Sequence, residues 1–187
     1  MSIEVVILLK KPSDGSEVSI KSAENLADQT DIKFGVVKDG TTFQLIRNST
    51  LPHFQKIFAS LNADASRLIS TSEEGVNMVR REGGKFAFIT ESATGNYWAN
   101  LAPCDLVQIK ISLPKTEYAF AVGKGSAIKA QLDGAIRKLK ENGELEKIRQ
   151  KWWEHQCSSG AVHSWGALIA LPLFVLVLEV AASPGFN

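Results

Sequence analysis

The stretch Lys85 to Tyr97, KFAFITESATGNY, constrains this chain most, because its hydrophobic period changes partway along. Phe86 to Ile89 form a short apolar run with aromatic content after Gly83-Gly84, which predicts a buried strand. Beyond Glu91 the spacing is helical, with Ser92 expected to cap a helix that Tyr97, Trp98 and Leu101 continue. Glu91 therefore falls at a strand-to-helix junction. In an α/β sheet such junctions are where ligands bind, and a carboxylate there can hold a cation. The plainer alternative is an acid beside a helix N-terminus, favoured by the helix dipole.

A second junction of the same kind precedes it. Ile32 to Val37 reads as a strand broken by Gly35, followed by Lys38-Asp39-Gly40-Thr41-Thr42 and a helical stretch from Phe43 to Arg47. Gly40 is expected to let the backbone turn, and the N–H groups at the helix start, with the Thr41 and Thr42 hydroxyls, can receive an anion such as a carboxylate. The alternative is that Asp39 and Thr41 merely cap the helix. A phosphate loop does not fit, because its lysine and second glycine are missing.

The remaining elements frame these two. Ile3 to Leu9 reads as a strand, Ser22 caps a short helix, and Phe54, Ile57, Phe58 and Leu61 make an amphipathic stripe. Ser72 is expected to cap a helix with acids in its first turn and Arg80-Arg81 in its last. Leu106 to Ile111 and Glu117 to Val122 predict two strands separated by Ser112-Leu113-Pro114. Ile128, Leu132, Ile136 and Leu139 lie on one face of a packing helix that begins near Ser126, and a last helix presents Trp152 and Trp153. Gly166 to Leu178 is an uncharged run of 13 residues. As a helix it would span roughly 20 Å, short of the ~30 Å hydrocarbon core.

Bulk properties exclude little, although a formal net charge of +1 gives no reason to expect nucleic acid as a partner. Cys104 and Cys157 lack close metal-ligand spacing and are either two buried thiols or one long-range bridge. Asn48-Ser49-Thr50 is a glycosylation sequon, meaningful only in a secretory compartment. His53, His155 and His163 fall in no arrangement of nucleophile and acid, so neither catalysis nor a metal or cofactor is expected.

Taken in order, SAENLADQT, GVVKDGTTFQLIRNS, EEGVNMVRREGGKFAFITES, APCD, AVGKGSAI, LKENGELEKIRQKWW and Cys157 resemble the membrane-proximal half of the ligand-binding domain of ionotropic glutamate receptors. The resemblance implies an α/β fold, a periplasmic-binding-protein-like lobe that is one half of a two-lobed clamshell, followed by a short apolar C-terminal helix. It divides the chain into a divergent N-terminal strand and loop (1–20), the second lobe (21–157), a linker (158–164), a truncated transmembrane helix (165–182) and a tail (183–187).

By the same resemblance, Thr41 and Thr42 hold the distal carboxylate of L-glutamate or a related amino acid, and Glu91 pairs with its ammonium. Tyr97 matches an aromatic near that pocket, and Ser72 lies where a hydroxyl latches across the closed cleft. Cys104 and Cys157 match a disulfide, which would stabilise by about 4 kcal/mol on a chain-entropy argument. The implied protein is an AMPA- or kainate-like glutamate-gated cation channel subunit in a synaptic plasma membrane, with the lobe outside. Its partners would be the first lobe, the other subunits of a tetramer and the membrane. The first lobe and the pore have no counterpart in residues 1–20, so the chain reads as a fragment. Two other readings share the pattern: a soluble amino-acid-binding protein of the periplasmic type, and a non-signalling partner of full subunits. The apolar run after Cys157 counts against the first of these.

Overall fold

A continuous apolar run such as Val5 to Leu9 suits a strand covered on both faces, and this is where the chain places it. The computed structural model describes residues 2–153 and 157. β1 (Ser2–Lys10) lies inside a five-stranded sheet of order β3-β2-β4-β1-β5. The other strands are β2 (Lys33–Val37), β3 (Leu68–Ile69), β4 (Phe86–Glu91) and β5 (Leu106–Glu117). β2 runs parallel to both β3 and β4, whereas β1 is antiparallel to both β4 and β5.

Successive residues of β1 serve opposite faces. Val5, Ile7 and Leu9 join a core completed by Leu26 of α1 (Ala23–Asp28), Phe43 and Ile46 of α2 (Thr41–Arg47), and Phe54, Ile57 and Leu61 of α3 (Pro52–Ala63). Leu8 faces the other way and packs with Phe86, Phe88 and Leu106 against Val76 and Val79 of α4 (Ser72–Arg81). The N-terminal stretch 1–20, which the sequence sets apart, thus supplies an interior strand of the same sheet.

Three further expectations change. The two strands predicted around Ser112-Leu113-Pro114 are one, β5, and Tyr118 to Val122 leave the sheet. Proline is tolerated because β5 is an edge strand and its pairing with β1 shifts register between Ile3 and Val5, where residues 112–115 face Glu4 alone. Ser72 does not cap α4. Thr71 does, its Oγ1 accepting from the Glu74 N–H at 3.1 Å, and Ser72 is the first helical residue. Ser92 likewise begins α5 (Ser92–Ala99), with Glu91 in the cap position, and its Oγ accepts from the Glu4 N–H at 3.1 Å.

The C-terminal helices are the least covered part. α6 (Ile128–Glu141) and α7 (Glu144–Trp153) contain no buried residue, and the stripe expected to pack leaves Ile128 49% and Leu139 40% exposed. α7 is tied back by the Trp153 indole, which donates to the Ala93 carbonyl at 3.0 Å, and by the Cys104–Cys157 disulfide. Trp152 stays in solvent beside Lys151. Among the described residues no helix is long and apolar enough to cross a membrane, and the linker, transmembrane helix and tail expected over 158–187 lie outside them.

Candidate functional site

Parallel strands that neighbour one another deliver their carboxyl ends to the same side of a sheet, and here each of three such strands runs into a helix. β3 leads through Thr71 into α4, β2 through Lys38 to Gly40 into α2, and β4 directly into α5. The register pairs Val37 with Ile69 and Val36 with Ile89, so the three helix starts lie level. Between them is a cleft of about 260 Å³ floored by Val37 and Ile89 and walled by Thr41, Thr42, Ser72, Thr90, Glu91 and Thr94.

The β2–α2 turn is built differently from its sequence reading. Asp39, not Gly40, takes the left-handed backbone, at φ 56°, a region Asp tolerates better than most residues. Gly40 is extended and occupies the cap position without a side-chain hydrogen bond. Neither Asp39 nor Thr41 caps the helix, so the first-turn N–H groups of α2 remain available to a ligand. Thr42 is only 6% exposed, whereas Thr41 is exposed at the rim.

Across the cleft, Glu91 also makes no cap bond within its own helix. Its Oε2 accepts from the Tyr118 hydroxyl at 3.0 Å. Partial desolvation and then the Glu91 carboxylate push the Tyr118 phenol above its ordinary range, so it stays protonated and donating at neutral pH. Among the described residues Glu91 is the one acid lining the cleft, opposite donors from α2 and the Ser72 hydroxyl of α4. Such a cavity suits a small ligand carrying both a cationic and an anionic group.

Thr41, Thr42, Ser72 and Glu91 are brought together. Tyr97 is not. Six residues past Glu91 on a helix of 3.6 residues per turn, it faces elsewhere, is 44% exposed, and meets Trp98 edge-on at 5.5 Å. Sequence reasoning missed Tyr118 and Thr94. Thr94 stands three residues from Glu91, a spacing that shares a helix face and could have revealed it. Tyr118 comes from 27 residues away through a strand end, and no local signal marks it. Asn48 closes the far end of α2, and Cys104 is bridged to Cys157. His53, the one histidine among the described residues, sits 3.3 Å from Glu24, outside the cleft. No group of three or more metal-binding side chains occurs among the described residues.

No family model matches the chain. It is 36% identical to human glutamate receptor 3 over 157 residues, which is 82% of this chain and 18% of that protein. It is 34% identical to a glutamate receptor of Lymnaea stagnalis over 156 residues, 82% of this chain and 17% of that protein. A solved structure, Drosophila muscle GluRIIB in complex with glutamate, superposes with a TM-score of 0.71 at 28% identity, over 82% of this chain and 59% of that one. The chain thus spans less than a fifth of the length of these curated relatives.

Proposed function

We propose, for a chain that belongs to the ionotropic glutamate receptor family and matches its ligand-binding domain, that the cleft is one wall of a glutamate site. The family is one of receptors rather than enzymes. The juxtaposition of Glu91 with the uncapped Thr41-Thr42 helix start carries this reading. The distal carboxylate of glutamate would accept hydrogen bonds from the α2 N–H groups and the threonine hydroxyls, while its ammonium would donate to Glu91. Tyr118 would hold the Glu91 carboxylate in place, leaving its other oxygen to the ligand. Hydrogen bonds to charged groups contribute about 1.5–3 kcal/mol each, enough to orient a ligand but not to retain one in an open cleft.

A second wall is therefore part of the proposal. A complementary lobe would supply the cation for the ligand's main carboxylate and would exclude water. The uncovered apolar side chains of Tyr118, Phe120, Val122 and α6 support a lobe seated there. Closure on the ligand would pull on the gate of a cation pore in the assembled receptor, because ligand stabilises whichever state it binds better. In that setting the lobe lies outside the plasma membrane.

Calorimetric titration of glutamate into the full chain, alone and mixed with a separately produced complementary lobe of a relative, tests the reading. Saturable binding is expected only in the mixture. Glu91→Ala should cost roughly 2–5 kcal/mol, about 30-fold or more in affinity, with circular dichroism unchanged. Equal binding by the Glu91→Ala variant would refute the assignment.

A further inference from the structure

Asn48 begins the triplet Asn48-Ser49-Thr50, and no other asparagine of the chain has serine or threonine two positions on. Its backbone N–H closes α2, donating to the Gln44 and Ile46 carbonyls. Its side chain, by contrast, is exposed and makes no hydrogen bond to another described residue, and Thr50 is exposed as well. Ser49 is occupied locally, its Oγ accepting from the Leu51 N–H at 3.3 Å and its carbonyl from the Gln55 side chain. The triplet therefore sits in a hydrogen-bonded surface corner between α2 and α3, with the acceptor amide pointing into open solvent. An independent mark of compartment is the Cys104–Cys157 disulfide, of a kind that persists in oxidising, secretory environments.

We propose that Asn48 carries an N-linked glycan. Asn48 Nδ2 forms a bond to the anomeric carbon of a lipid-diphosphate-linked oligosaccharide. The bond from that carbon to the diphosphate oxygen breaks, Nδ2 loses one proton, and the polyprenyl diphosphate leaves with the electron pair. The inference rests on the extracellular placement proposed above and not on the ligand chemistry. Its position is permissive, because α2 runs about 10 Å from the cleft residue Thr41 to Arg47 and the glycan grows from the opposite end. A glycan there leaves the ligand cleft open, shields Leu51, which is 43% exposed, and closes the α2–α3 corner to docking by another subunit.

The test is expression of the full chain behind a secretory leader in a eukaryotic cell, followed by digestion with an enzyme that removes N-glycans. One discrete mobility shift is expected in the unmodified chain and in Ser49→Ala, which keeps the sequon. The shift should be absent in Asn48→Gln and Thr50→Ala. Because transfer acts on the emerging chain, a variant that folds poorly is still scored. No shift in protein whose Cys104–Cys157 bridge has formed overturns the site but spares the extracellular placement. No shift together with free thiols overturns both.

Discussion

At the scale of single residues, the cleft depends on which side chain caps a helix and which is released from capping. Thr71 caps α4, which leaves the Ser72 hydroxyl to the cleft. Removing a cap costs about 1 kcal/mol, whereas a half-buried first-turn serine whose hydroxyl faces the open cleft contributes within about 0.5 kcal/mol. Urea unfolding should therefore show Thr71→Ala destabilised by about 1 kcal/mol and Ser72→Ala nearly unchanged; the reverse order would return Ser72 to a capping role. The sequence could not separate the two, since adjacent Thr71 and Ser72 are both good caps and the choice depends on where β3 releases the chain. Glu91 is the opposite case. The change of period around it marked the junction, although its hydrogen bond to Tyr118 was beyond any local pattern.

At the scale of elements, the wall that α4 gives the cleft depends on how closely that helix lies on the sheet. Gly75 of α4 faces Phe88 of β4 so closely that a Cβ would come within 2.6 Å of the ring. Gly75→Ala would gain about 1 kcal/mol in helix propensity but lose about 1–3 kcal/mol to overpacking. Phe88 is fully buried and cannot swing aside, so the loss should win. A lowered melting temperature is the expected result, and a raised one would show that α4 can lift off the sheet freely. The helical spacing of α4 was legible, but which glycine touches the sheet was not, because spacing along one helix says nothing of its distance from a strand.

At the scale of the whole molecule, β1 decides whether there is a lobe at all. Val5 to Leu9 are each 3% exposed or less, and their burial contributes on the order of 10 kcal/mol, comparable with the entire stability of a small domain. Residues 21–157 alone should therefore fail to fold, giving no cooperative thermal transition, whereas residues 1–157 should melt cooperatively. A folded 21–157 piece would show the strand to be dispensable. The stretch 1–20 looked separable only because no motif flags it; an apolar run carries no label for the strands it will pair with. By itself the sequence determined the α/β class, most of the elements and their order, the two strand-to-helix junctions bearing Glu91 and Thr41-Thr42, and the family, since these follow from local period and motif order; the short β3 and the unity of β5 it did not show. The tertiary structure alone decided that β1 lies between β4 and β5, that Tyr118 reaches Glu91 while Tyr97 turns away, and that α6 keeps an uncovered face. Those outcomes depend on pairing and packing between residues far apart in the chain, whose free energies no local stretch contains.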